Sequence, residues 1–291
     1  MKKFLFILSF IAVASCDLLT GENISTFVSN GIKANLGEFP YQVAIGMFTG
    51  DNASICSGTL IKHQWVLTSA ACLNTGLLNY TLVFGTVDLL KGERAWQSGI
   101  IQKSNFKIHP DYNRNTNVNN IALIYVEDMP ANLTDNNNVG IVDFPTENDA
   151  KTNLTDRLAV ISGYGLINDV VSTTEGILYH TETEITTNDV CQIIQGYNVT
   201  ENDWCTLPID NKSVCSGDHG SAMTVEIESR KVLVGIASAI TKFCTVGLPA
   251  VYENVFYHRE WIEKTMNGSS VVSVSFSVAA LMIILVLRNF F

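Results

Sequence analysis

Positive charge is scarce in this 291-residue sequence. Its 18 lysines and arginines face 28 aspartates and glutamates, giving a formal net charge of −10, and they nowhere gather into a cluster. Such a chain offers no electrostatic footprint to nucleic acid or to an anionic lipid surface, so neither is expected as a partner. Proline is rare as well, with six residues, and no segment repeats at a period of about 20–50 residues, which excludes solenoid arrays. Histidine is limited to five scattered positions, His63, His109, His180, His219 and His258.

What is present is apolar and secretory in character. Hydrophobic residues make up 47% of the chain, enough for a large core in one or two domains. Lys2 and Lys3 precede an apolar run from Phe4 to Ala14 and the small residues Ala12, Ala14 and Ser15, the pattern of a signal peptide over residues 1–16. Cleavage after Ala14 retains Cys16; cleavage after Cys16 removes it. Seven cysteines in a secreted chain imply disulfides with one cysteine removed or left over. Eight Asn-x-Ser/Thr sequons, at Asn23, Asn52, Asn79, Asn132, Asn153, Asn198, Asn211 and Asn267, fit a glycosylated surface. Asn211 is expected to escape modification because it falls beside a pocket wall.

From Gly37 onward the pattern is that of short strands. Gly37–Ile45 opens with a turn and alternates; further strand-length runs occur at Ser57–Ile61, Trp65–Ser69, Tyr80–Phe84, Gly99–Gln102 and Ile121–Val126. An asparagine-rich link, Asn132–Asn148, separates these from a second series at Leu158–Ser162, Leu178–Ile185, Asp203–Thr206, Ser221–Ile227, Val232–Ser238 and Ala250–Tyr252. Many short strands punctuated by Gly, Asn and Asp predict an all-β antiparallel architecture. Tyr257–Lys264 carries helical spacing. Met266–Leu287 then runs 22 residues without a charge before Arg288. That tail suits either a GPI signal beginning at Asn267-Gly268-Ser269 or a single spanning helix. Both readings put the globular part outside the cell, tethered to the plasma membrane by residues 267–291.

The stretch that orders the rest is Cys215-Ser216-Gly217-Asp218-His219-Gly220-Ser221. It resembles the nucleophile loop Cys-x-Gly-Asp-Ser-Gly-Gly of the trypsin/chymotrypsin family of serine peptidases, with His219 at the serine position. The resemblance covers Val28 to Met266. Trp65-Val66-Leu67-Thr68-Ser69-Ala70-Ala71-Cys72 is similar to the block that carries the family's histidine, and Ala71 holds its place; Asn119-Asn120-Ile121-Ala122-Leu123 is similar to the aspartate block, with Asn120 in its place.

The resemblance implies two antiparallel six-stranded β-barrels with a C-terminal helix, and disulfides Cys56–Cys72, Cys191–Cys205 and Cys215–Cys244. It implies an anion-accepting nest from the N–H groups of Gly217 and His219, and an aspartate, Asp218, that would receive the amine of Val28 after cleavage. Residues 17–27 stand where the family carries a propeptide, but Phe27 replaces the basic residue that a trypsin-type activator needs. The specificity pocket would be lined by Ser213, Ser238, Ile240 and Ala250, with no anionic floor and a branched side chain at its mouth. Histidines other than His219 fall at family surface positions, so no metal and no cofactor are expected. A serine attacks, a histidine takes its proton and an aspartate orients the histidine; with all three positions changed, the expectation is a binding or regulatory homologue whose ligand is a protease, an inhibitor or a surface protein. The rival expectation is a serine-type endopeptidase with a non-standard site.

Overall fold

The computed structural model describes residues 31–50, 52–77, 79–166, 174–194, 197–240 and 246–268. The signal segment, the propeptide-like segment, the sequon at Asn23, Cys244 and the apolar tail beyond 268 lie outside the described residues.

Fourteen strands divide into two sheets of seven. The first half contributes β2 (Gln42–Thr49), β3 (Asn52–Lys62), β4 (Trp65–Thr68), β5 (Asn79–Phe84), β6 (Trp96–Gln97), β7 (Phe106–Ile108) and β8 (Ala122–Tyr125), in the order β6-β5-β2-β3-β4-β8-β7. This sheet curls around one core, so that Phe106 of β7 packs edge-on against Tyr80 of β5 with centroids 4.8 Å apart. The second half contributes β9 (Leu158–Gly163), β10 (Tyr179–Thr186), β11 (Asp203–Pro208), β12 (Ala222–Ile227), β13 (Arg230–Ala239) and β14 (Ala250–Asn254). Because β9 pairs with both β10 and β12, these six close into a barrel. The short β1 (Ile32–Lys33) adds to the start of β10, beyond the reach of β11. The all-β, chymotrypsin-like class thus holds, with ladder closure complete in the second half.

Residue chemistry accounts for the layers. In β5 and β10 burial alternates with the period of two expected of a half-buried strand. β4 is buried on both faces: Val66 points into the first core, whereas Trp65 and Leu67 join a second core shared by the two halves. Phe39, Tyr41, Ile121 and Leu123 from the first half meet Tyr164, Leu178, Leu233 and Ile236 from the second there. The link between the halves is stitched to both, since Val142 N–H donates to Leu60 O and Leu233 N–H to Asp143 O.

The strand expected at Gly99–Gln102 is not formed. The pairing partner of β5 is the earlier β6, and beyond it Ser98 Oγ takes the Leu82 N–H at 2.9 Å, substituting a side chain for a carbonyl rung. Only an isolated bridge, Tyr80 to Ile101, follows. A short α1 (Ala70–Leu73) follows β4, and α2 (259–268) ends the described chain. Asn254 Oδ1 accepts the N–H groups of Phe256 and Tyr257 in the turn before α2, whose Ile262 and Met266 close the shared core.

Candidate functional site

The two halves bring the three sequence-identified blocks together. Gly220, at φ +85°, presses the nucleophile loop against the end of β4: a Cβ there would lie 2.2 Å from Ser57 O and 2.2 Å from Thr68 Oγ1. Ser57 N–H donates to His219 O at 2.8 Å, and the Cys56–Cys72 disulfide ties the same strand to α1, which contains Ala71. Only a glycine fits such a backbone approach at positive φ.

Asn120, fully buried, is saturated. Its Oδ1 accepts from Ala71 N–H at 2.8 Å and Ser69 Oγ at 2.9 Å, and its Nδ2 donates to Ser238 Oγ at 3.0 Å. Both ends of the amide are therefore already engaged. His219 makes no hydrogen bond through its ring to any described residue. The ring keeps part of its surface exposed, yet burial pushes its imidazole down to about 4, so it is neutral at pH 7. The backbone N–H groups of Gly217 and His219 are likewise undonated within the described residues.

Asp218 is buried beneath this loop. Its Oδ1 accepts from Gly165 N–H at 2.7 Å and its Oδ2 from Cys215 N–H at 2.8 Å. Burial pushes its carboxyl up to about 6 against the pull of those two donors. Gly163 and Gly165 make the space, since a Cβ on Gly163 would stand 1.9 Å from Asp218 Oδ1.

Behind Asn120 lies a polar cluster that the sequence reading missed. Glu253 Oε1 accepts from Asn120 N–H at 2.7 Å and from Ser238 Oγ at 3.2 Å, and Oε2 lies 2.9 Å from His258 Nε2. Both side chains of that pair are about 1% exposed, so the surface placement expected for His258 is corrected: the ring turns inward to meet the Glu253 carboxylate. Tyr197 OH stands 3.1 Å from Asp203 Oδ1 and 3.2 Å from Glu253 Oε1, with one proton for two carboxylates. Asp203 and Glu253 are register partners across β11 and β14. Burial and the Glu253 charge push Asp203 up to about 6, as like charges set opposite each other require. Two acids within buried strands were the available signal. Among the described residues no group of three His, Cys, Asp or Glu side chains is arranged to hold a metal ion.

Ser213, Ser238 and Ala250 are buried, and the half-buried Ile240 packs against the core that contains Val214, Ala237, Ala250 and Tyr252. Tyr197 packs in a neighbouring cluster with Ala239 and the Cys191–Cys205 bridge. Cys215 is disulfide-bonded as well. A groove of about 540 Å³ runs from Phe48 to Ser216 and Gly217. Of the sequons, Asn79, Asn132, Asn153, Asn198, Asn211 and Asn267 are exposed; Asn211 sits in a tight turn at φ +59°, with Oδ1 against Gly247.

A closed barrel, a second curled sheet and a Cys-x-Gly-Asp loop at their junction define the fold of chymotrypsin-like serine peptidases. The family model described as Trypsin matches residues 28–262, and the chain belongs to that family. It is 28% identical over 239 residues to a chymotrypsin of Phaedon cochleariae, covering 81% of each chain. It is 26% identical over 294 residues to the trypsin Tyr p 3.0101 of Tyrophagus putrescentiae, covering 96% of each. A solved structure of HL collagenase superimposes with a TM-score of 0.68 at 25% identity, over 82% of this chain and 98% of the collagenase.

Proposed function

We propose that this family member is catalytically inactive and acts as a binding or regulatory homologue of serine endopeptidases. The observation that carries the reading is the state of Asn120. Its amide is fully engaged by Ala71 N–H, Ser69 Oγ and Ser238 Oγ, next to a methyl group where the proton acceptor would stand. A methyl group takes no proton, and a neutral His219 ring with no hydrogen-bond partner among the described residues has no base to activate it. Loss of a triad member removes on the order of 10⁴ to 10⁶ in rate, and further losses add little.

The packing of Ile240 beside Ala250 supports a specificity pocket too narrow for a large side chain. The partner class is protein: a protease, an inhibitor or a surface protein held by loops on a rigid double-sheet frame. The uncharged run at Met266–Leu287 supports tethering outside the cell by a GPI group or a single helix. Release by a phosphatidylinositol-specific phospholipase separates the two.

The test is fluorophosphonate labelling and peptide turnover by the full chain, before and after chymotrypsin nicking at Phe27, with His219→Ala as control. No label and no turnover are expected in any form. Turnover that vanishes in the control would make the protein an endopeptidase with a non-standard site, the class that its relatives' names suggest.

A further inference from the structure

An exposed aromatic ring stands directly across a ladder from a glycosylation sequon. Phe48, in β2, is 38% exposed, and its register partner in β5 is Asn79. Opposed residues of an antiparallel pair share one face of the sheet, with Cβ atoms about 4.5–5.5 Å apart. Asn79 is exposed and opens the sequon Asn79-Tyr80-Thr81. Tyr80 turns the other way, fully buried in the core, while Thr81 returns to the face of Phe48 as the partner of Gly46. The asparagine and the threonine of the sequon therefore both lie along the strand that borders the ring.

Gly46 sets how that ring lies. A Cβ there would stand 2.8 Å from Phe48 Cζ and 3.5 Å from Cε2, so the ring folds back along β2 over a residue without a side chain. From β3 the partner of Phe48 is Ala53, too short to cover it. Asn52, the other sequon in a strand among the described residues, is opposed by Thr49 and by no ring.

The C–H groups on one side of a pyranose are apolar and weakly positive, and the face of an aromatic ring is negative, so the two stack. We propose that Asn79 carries an N-linked glycan whose first N-acetylglucosamine lies on Phe48. A transferase of the secretory pathway supplies the sugar from a polyprenyl diphosphate-linked oligosaccharide. Asn79 Nδ2 forms the bond to sugar C1, the C1–O bond to the diphosphate breaks, the diphosphate leaves, and the nitrogen gives up one proton. The stacked sugar covers an apolar surface that the fold leaves wet, and this edge of the first sheet presents carbohydrate to whatever approaches it. The inference goes beyond the binding reading and requires only passage through the secretory pathway, not the loss of catalysis.

The test is a mutant cycle on the full chain made in a secretory host, with its glycans trimmed by endoglycosidase H to one N-acetylglucosamine per occupied site. Mass spectrometry of the peptide around Asn79 should show the sugar. Asn79→Gln should lower the thermal midpoint by about 2–4 °C in the parent and by much less in a Phe48→Ala background. Asn153→Gln, in the loop before β9, should have the same effect with and without Phe48. With carbon-13-labelled sugar, one N-acetylglucosamine should show ring-current-shifted resonances that return to ordinary positions in Phe48→Leu, which stays apolar but has no π face. An unmodified Asn79, equal effects of Asn79→Gln in the two backgrounds, or sugar resonances indifferent to Phe48 would each overturn the inference.

Discussion

The two sides of Asn120 have gone opposite ways. Toward the nucleophile loop stand a methyl group at Ala71 and an imidazole at His219 without a hydrogen bond to any described residue. Toward the barrel stand Glu253, His258, Tyr197, Asp203 and Ser238, all buried and linked through contacts of 2.9–3.2 Å. Asn120 cannot supply a negative charge to its surroundings, and the carboxylate of Glu253, which takes its N–H at 2.7 Å, does so one layer deeper. Glu253 also pairs with the His258 ring, a buried contact distinct from the positions matched to the family's histidine and aspartate, Ala71 and Asn120. At the front His219 makes no ring hydrogen bond to a described residue, whereas the back pairs the polar atoms it buries, as a low-dielectric interior requires.

That contrast is breakable, and the largest effect is expected at the back. Glu253→Ala would orphan Asn120 N–H, remove one of the partners of Ser238 Oγ and leave His258 buried without its carboxylate. Removing one partner of such a pair costs about 3–5 kcal/mol; the urea midpoint should fall by that loss divided by an unchanged slope. A loss below about 1 kcal/mol would mean that the back is as dispensable as the front. Tyr197→Phe is the next step down. It removes one hydroxyl that serves Asp203, Glu253 and Ser238, for an expected loss of about 1–3 kcal/mol. Its heat denaturation should also become more pH-dependent between pH 4 and 6, since the proton shared by two opposed carboxylates is gone. The front offers the counterpart: Ala71→His alone should give no peptidase activity, because Asn120 Oδ1 is already filled by Ser69 Oγ and Ala71 N–H and cannot orient the new ring.

How much of this was legible depended on whether the signal was local. β2 to β5 and β9 to β14 announce themselves as alternating or apolar runs of strand length between turn residues, and the matched blocks placed Ala71, Asn120 and His219 in one site. What escaped was set by partners far apart in sequence. Ser98, just ahead of the strand expected at Gly99–Gln102, gives no sign in the sequence that its Oγ takes the Leu82 N–H, 16 residues away. His258 looks like the first exposed turn of a helix until the chain folds it onto Glu253. The groove beside Ser216 draws on seven stretches of chain, around 44–48, 53–55, 81–83, 89–97, 166, 174 and 216–217, and no periodicity within one of them shows an apolar wall. Asp203 was visible as a charge inside an expected strand, Glu253 falls one residue past the expected Ala250–Tyr252, and reading them as register partners required the sheet order.

The smallest effect belongs to His219 and is read from pH. Burial has moved three groups near the site in directions that oppose each other. Asp203 and Asp218 are pushed up to about 6, above the usual carboxylate value of about 3.9. A raised group stabilises the fold fully below its unfolded value, and that contribution is lost as pH rises from about 4 through 6. His219 is pushed down to about 4 from about 6.5, so its contribution is complete above 6.5 and is lost as pH falls toward 4. Between pH 4 and 6 the acids and the histidine thus pull stability in contrary senses. His219→Ala removes one side of that balance. The variant should differ from the parent at pH 7 only by packing, then gain on it steadily as pH falls to 4.5, by at most about 1.4 kcal/mol per pH unit. Partial exposure of the ring keeps the gain below that ceiling. Thermal midpoints of the two chains, measured from pH 7 to 4.5, should diverge; parallel curves would show that the imidazole protonates freely in the fold, and the front of the cleft would then be a solvated surface instead of a packed, neutral plug.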